Sequence, residues 1–241
     1  MGDSSPGGFV VAIDGPSGSG KSSAARGVAR ALGLRYLDTG ATYRALTWWL
    51  MAVSADIADE ELVASLAAEP VIEVGTDPVD PWTRVNGRDV SREIRTREVS
   101  TQVSAVARVP EVRRRLIGLQ RAIIAAAAAP EAPAAAGAPA GIVAEGRDIG
   151  TVVAPGAAVK VFLTADSGER AVRRAAEQGA AVDVTEADQA RRDRLDAAQS
   201  AKAADAVLID TTGLSLAEVI DAITRLARER TPLTSAGDKS S

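Results

Sequence analysis

The chain has no cysteine and no histidine among its 241 residues. The first absence excludes disulfides and thiolate metal sites. The second removes the usual general base and any imidazole-ligated metal. Chemistry here must run on carboxylates, guanidinium groups, hydroxyls and backbone dipoles, with few amines. Lysine stands only at positions 21, 160, 202 and 239, so arginine carries nearly all the positive charge. Its planar fork suits phosphate. Aromatic residues are scarce at 3%, so the core must be built from Val, Ile, Leu and Ala in a chain that is 46% hydrophobic. That length and composition suit one α/β domain with insertions. A net charge of −4 argues against a general nucleic-acid binder, which needs a broad basic surface. No apolar run approaches a membrane span, and Met1 to Gly8 shows no signal-peptide pattern. Pro6 stands where a myristoylation signal wants Ser or Thr. The expectation is a cytoplasmic protein with neither nucleic-acid nor membrane partners.

What is present is organised around Gly15-Pro16-Ser17-Gly18-Ser19-Gly20-Lys21-Ser22-Ser23. The stretch follows an apolar run, Phe9 to Ile13, and precedes a helical pattern with Ala25, Val28, Ala29 and Leu32 on one face. Strand, glycine-rich turn and helix are the context that G-x-x-x-x-G-K-[ST] requires. The glycines let successive N–H groups point inward at phosphate oxygens, and the helix dipole adds a positive end. Lys21 is then expected to reach the β and γ phosphates of ATP, with the Ser22 hydroxyl on Mg²⁺.

Apolar strands at 34–37, 142–144, 159–163 and 206–209 alternate with helical segments after Asp38, near 110, from 167 to 178, from about 185 to 202, and from 219 to 228. Alternation of this kind predicts an α/β fold, a P-loop NTPase-like parallel sheet of about five strands with helices on both faces. Trp48 and Trp49, at helical spacing in an apolar segment, read as core in preference to a base-stacking platform. Between positions 71 and 90, an Asn86-Gly87 turn between short β-type runs predicts a hairpin inside a small β-rich insertion. A helix is expected over 91–107. The stretch 125–141, nearly all Ala, Pro and Gly, reads as a helix end followed by a surface loop, and 231–241 as a disordered tail. Ser215-Leu216-Ala217-Glu218 is a capping box.

The polar clusters at 14–22, 38–44 and 145–148 all follow expected strands, where open α/β sheets bind ligands. A phosphate loop alone does not separate kinases from switches and motors. Guanine recognition by an Asn-Lys-x-Asp segment is excluded, because the only asparagine is Asn86 and it precedes Gly87. A kinase for a small phosphorylated acceptor needs a second anion site facing the loop, and Arg44 and Arg147 are placed to build one. Arg191, Arg192 and Arg194 with Asp193 and Asp196 form a dense charged segment. It reads either as a closing lid or as a solvated helix face.

Ile13 to Ser22, Leu37-Asp38-Thr39-Gly40-Ala41-Thr42-Tyr43-Arg44, Asp89-Val90-Ser91-Arg92-Glu93-Ile94-Arg95 and Glu145-Gly146-Arg147-Asp148-Ile149-Gly150-Thr151-Val152-Val153 together resemble the bacterial cytidylate kinases. The resemblance runs from about residue 9 to residue 230. It implies a single kinase domain with a core at 9–58 and 108–230, an acceptor-binding insertion at about 59–107 and a helical lid at about 180–204. It implies transfer of the ATP γ-phosphate to CMP or dCMP with Mg²⁺ by a monomer. Arg44 and Arg147 match positions on the acceptor phosphate; Ser104, Arg113 and Asp148 match positions that read the cytosine edge; Thr39 keeps a hydroxyl. Arg192 matches the lid arginine that bridges the two phosphates, Asp196 an acid that meets the ribose hydroxyls, and Glu145 is placed to hold Mg²⁺ through water. Gln199 departs from the pattern, since an arginine is usual there, and the segment onward to Asp205 is short. Two other readings follow from that departure or from the loop alone: a catalytically weakened nucleotide-binding protein, and a P-loop kinase for another small acceptor.

Overall fold

In the computed structural model, which describes residues 8–129, 140–178, 190–191, 193–196 and 200–230, five strands run parallel and deliver their carboxyl ends to one edge. They are β1 (Phe9–Asp14), β2 (Arg35–Asp38), β6 (Gly141–Gly146), β7 (Val159–Thr164) and β8 (Val207–Asp210), in spatial order β2-β6-β1-β7-β8. The central strands are continuous apolar runs because both faces are covered. Val11 and Ile13 of β1 face helices α1 (Lys21–Leu32) and α7 (Leu216–Arg230) in one core. Val10 and Ala12 face α5 (Pro110–Ala128) in another. The sheet therefore carries helices on both faces.

Local chemistry explains where the elements begin. Gly15 opens the loop after β1 at φ 148, where a Cβ would stand 2.2 Å from the Leu163 carbonyl oxygen. Only glycine fits this crossing of the two strands. Helix α2 (Thr39–Ala52) is capped by Asp38, whose carboxylate accepts from the Ala41 N–H at 2.9 Å. Pro110 occupies the first turn of α5. In α7, Ser215 and Glu218 bond reciprocally to each other's backbone N–H at 3.3 and 2.8 Å, the capping box that the sequence announces.

The β-rich segment forms its own antiparallel sheet of β3 (Ile72–Val74), β4 (Thr83–Val85) and β5 (Arg88–Asp89). Asn86 and Gly87 make the turn at φ 51 and 78, as the two positive angles of a tight hairpin demand. The sheet does not carry a separate core. Ile72, Val85, Val90 and Ile94 pack with Leu46 and Leu50 of α2, Val63 of α3 (Glu60–Leu66), Val106 of α4 (Arg97–Val106) and Leu116 of α5. Trp48 and Trp49 lean on this cluster, half-buried.

Two helix boundaries differ from the sequence expectation. The helix expected over 91–107 is interrupted: a 3₁₀ turn, Glu93–Arg95, precedes Thr96 at φ −63 and ψ 161, and α4 starts afresh at Arg97. The break turns Arg95 onto Asp38, a tertiary contact that apolar periodicity does not report. The helix expected from 185 to 202 has already ended at Ser200, and residues 200–203 run without helical bonding. Lys202 there donates to the Ala203 and Ala206 carbonyls. Helix α6 spans Ser167–Gln178, the range expected. Of the loop expected within 125–141, residues 130–139 lie outside the described residues, as do all but Gly8 of the N-terminal 1–8, also expected to be disordered, the tail 231–241, Arg192 and Gln199.

Because Leu116 is fully buried where the insertion, α2 and α5 meet, Leu116→Ala is expected to cost about 2–5 kcal/mol of unfolding free energy. Urea denaturation followed by circular dichroism checks this. A loss well below 1 kcal/mol would mean that the insertion and the sheet do not share this core.

Candidate active site

One cavity opens at the carboxyl edge where β1 and β6 lie side by side, and four segments wall it. From the glycine-rich loop come Ser17, Gly18, Gly20, Lys21, Ser22 and Ser23. Gly15, Pro16 and Ser19 shape the loop from behind. The Pro16 carbonyl accepts from the Ser19 hydroxyl at 3.0 Å and from Lys21 Nζ at 2.6 Å, and Ser19 is buried. Arg170 of α6 steadies the same loop from outside, donating to the Ser17 carbonyl at 3.1 Å.

The second wall is the start of α2, with Asp38, Thr39, Tyr43 and Arg44. The Thr39 hydroxyl donates to the Glu145 carbonyl at 2.7 Å, tying α2 to the end of β6. Asp38 faces two guanidinium groups, Arg95 at 3.1 Å and Arg44 at 3.9 Å. Burial pushes the Asp38 carboxyl up, but Arg44, Arg95 and the Ala41 N–H outweigh it and hold the group below its ordinary value. In the sequence Arg95 is only the last residue of the Asp89–Arg95 block; its place on Asp38 emerges from the fold.

The third wall is the stretch after β6. Glu145 is buried and accepts from the Tyr36 hydroxyl at 2.9 Å and from the Ser22 hydroxyl. Burial first, and then the nearby Asp38 charge, push the Glu145 carboxyl up, while Lys21, Ser22 and Tyr36 work against them. Asp148, also buried, pairs with Arg113 of α5 at 2.5 Å. Arg147 reaches Asp196 at 3.0 Å and Asp193 at 3.7 Å, so the late helical segment stands over the cavity and joins it through Asp196. Asp193 also holds Arg170 at 2.6 Å. Arg192 lies outside the described residues.

The fourth wall is the end of α4, where Val103, Ser104 and Ala107 face Arg113. Three buried polar atoms of this cavity make no hydrogen bond: Tyr43 Oη, Arg44 Nη1 and Ser104 Oγ. Burial pushes the Tyr43 phenol up to about 12, so it remains a neutral donor. Such groups carry a desolvation cost until a polar ligand meets them. They line the same cavity as the Arg113–Asp148 pair, whose charges act on Tyr43.

For Mg²⁺, the donor chemistry fits. The Ser22 hydroxyl and the Glu145 carboxylate that accepts its hydrogen bond are hard oxygens within reach of the Lys21 charge. Among the described residues, no group of three or more His, Cys, Asp or Glu is arranged to hold a metal. Mg²⁺ is commonly held by one or two protein oxygens together with substrate phosphates and water.

A glycine-rich loop feeding a helix N-terminus on a parallel sheet, faced across one cavity by convergent arginines, defines the class: a P-loop phosphotransferase with a small anionic acceptor. The family model described as cytidylate kinase matches residues 11–229. The cytidylate kinase of Streptomyces griseus subsp. griseus is 49% identical over 222 residues, covering 90% of this chain and 91% of that protein. That of Streptomyces coelicolor is 50% identical over 226 residues, covering 92% and 93%. That of Mycolicibacterium paratuberculosis is 45% identical over 230 residues, covering 92% and 96%. This chain belongs to the cytidylate kinase family.

The Asp38–Arg95 pair yields a pH prediction. A carboxyl held below its unfolded value contributes stability above about pH 4, and that contribution is lost as pH falls through the lowered folded value. Arg95→Ala is therefore expected to be less stable than wild type near neutrality, with the gap closing on acidification toward pH 3. Chemical denaturation at a series of pH values checks it. A gap that does not change with pH would remove the ion pair as its source.

Proposed function

We propose that this protein transfers the γ-phosphate of ATP to CMP or dCMP, giving ADP with CDP or dCDP, in pyrimidine nucleotide metabolism. The observation that carries the reading is the single cavity in which the phosphate loop faces Arg44, Arg147 and the Arg113–Asp148 pair. The acceptor is a phosphate monoester, already anionic at neutral pH, so its attacking oxygen needs no general base. A chain without histidine can therefore do this chemistry. The work is positioning two anions in line and stabilising charge spread over the transferring group.

In this reading the backbone N–H groups from Gly15 to Ser23 and the Lys21 ammonium hold the donor phosphates. Ser22 and Glu145 hold Mg²⁺, the latter through water; the ion supplies charge neutralisation on the donor phosphates. Arg44 and Arg147 grip the acceptor phosphate. Asp148 accepts from the exocyclic amine of cytosine, and Arg113 with Ser104 donates to its ring nitrogen and carbonyl. Thr39 completes the acceptor wall. Arg192 bridges donor and acceptor phosphates, and Asp196 receives the ribose hydroxyls. The reading carries with it a monomeric, cytoplasmic enzyme. No helix among the described residues is long and apolar enough to cross a membrane.

Selectivity follows from the same pair. A buried carboxylate that accepts from an amine meets a carbonyl when uracil takes the place of cytosine, and an unpaired buried polar group is costly. A coupled ADP-release assay over a panel of nucleoside monophosphates is expected to show CMP and dCMP preferred over UMP and AMP. Equal or better turnover with AMP would reject the reading. Lys21→Ala, Arg147→Ala and Arg192→Ala are each expected to lower kcat by about 10³-fold, the scale of charges on a transferring phosphoryl group. Arg113→Ala and Asp148→Ala are expected to relax the preference for CMP over UMP instead. An unchanged preference in both variants would sink the base-reading roles.

A further inference from the structure

Asp14, the last residue of β1, does not face the cavity, yet it touches both sides of it. It is 4% exposed, and its two carboxylate oxygens accept from the N–H groups of Ile149 and Gly150, each at 2.8 Å. Those amides open the single π-helical turn Ile149–Val153 that follows Arg147 and Asp148. The first N–H groups of a helical turn have no partner within it. Normally the residue just before the turn supplies a side-chain acceptor. Here that residue is Asp148, and its side chain caps nothing; it points at Arg113.

A carboxylate from another strand has thus taken over the cap, and this releases Asp148 to face the cavity. Packing agrees with the assignment. A Cβ on Gly150 would lie 3.4 Å from Asp14 Oδ2, in ordinary contact, and 3.2 Å from Lys160 Cδ, so the turn packs directly against the carboxylate. The upstream end of the same stretch is pinned by the Thr39 hydroxyl on the Glu145 carbonyl. Between these two anchors only Gly146, Arg147 and Asp148 are left to span the gap. Asp14 also directly precedes Gly15, the start of the phosphate loop.

We infer that Asp14 is a positioning residue for the acceptor: by capping the 149–153 turn from β1, it holds Arg147 and Asp148 in place relative to the phosphate loop and leaves the Asp148 carboxylate for the ligand. The inference deepens the proposed function and rests on it for the acceptor's identity. It assigns Asp14 no contact with substrate.

The test is Asp14→Asn, which keeps the shape but sets an amide N–H₂ against one of the two backbone N–H groups. CMP and ATP affinities are measured separately by calorimetry, and steady-state kinetics are run with CMP and with UMP. The expected result is a CMP Kd and KM raised ~10-fold or more, an ATP Kd within about twofold of wild type, and a reduced preference for CMP over UMP, on the scale that small misplacements produce. Equal losses for both ligands, or a lowered kcat with both affinities unchanged, would overturn the inference. If Asp14→Asn fails to fold, amide hydrogen exchange on the wild-type protein decides: the Ile149 and Gly150 N–H groups are expected among the slowly exchanging ones, and free exchange there ends the proposal. A wild type that binds ATP but not CMP counts against the proposed function, and the same two amides then still decide whether the clasp exists.

Discussion

Guanidinium groups brought together to grip phosphate repel one another, and the structure depends on how that repulsion is met. Among the described residues, each arginine that lines the cavity has a carboxylate against it: Arg44 has Asp38, which also holds Arg95, Arg113 has Asp148, and Arg147 has Asp196 and Asp193. The dependence is mutual. Glu145 and Asp148 are both buried at the edge of the sheet, with Asp38 acting on Glu145, and such acids would be costly without neighbouring cations. Glu145 shows what happens where a cation is not directly opposite, since burial and the Asp38 charge push its carboxyl up. The parallel sheet makes the arrangement possible by sending strand ends, and the acids at them, to one rim.

This pairing also gives a physical account of binding on the proposed reading. An acceptor phosphate does not enter a bare positive pocket; it exchanges with carboxylates that already hold the arginines in place. Side chains held beforehand lose little freedom when the ligand arrives, so more of the interaction energy is realised. The electrostatic gain is smaller than that of an isolated arginine, because an ion pair is given up. What is gained is geometry, and phosphoryl transfer is largely a matter of geometry and fixed charge. Arg147 is the clearest case, since its partners Asp193 and Asp196 sit on the late helical segment that stands over the cavity. A phosphate that takes hold of Arg147 changes what that segment is tied to.

Much of this was legible in the sequence, and the residues show why. The phosphate loop declares itself because it needs glycines at fixed places and a lysine after the last of them. The Asn86-Gly87 hairpin and the Ser215–Glu218 capping box are written in residues no more than three apart, so local chemistry alone specifies them. The central strands show as apolar runs because both faces are covered. Strand order was not legible, since apolar β6 between β1 and β2 looks like any other buried strand. Nor was the break at Thr96, where helical periodicity continues and the contact that accompanies the break, Arg95 on Asp38, is made 57 residues away. That residues 200–203 are not helical was not legible either, because the alanine-rich sequence there favours helix on propensity alone.

The sequence motifs and the structural unit also differ in a way that matters for how such sites are read. The blocks 13–22, 37–44 and 145–153, each taken alone, name residues that line the cavity, and Asp14 sits in the first block as if it were one more loop residue. In the fold, its carboxylate belongs functionally to the third block, whose backbone it caps across 135 residues of chain. The three polar clusters are therefore joined into one object by hydrogen bonds to main-chain groups: Thr39 to the Glu145 carbonyl, and Asp14 to the Ile149 and Gly150 amides. Side chains that grip a ligand are only as well placed as the backbone that carries them. Here the two loops bearing opposite halves of the site are held by buried carboxylate and hydroxyl bonds in place of covalent cross-links, in a chain that has no cysteine to make one.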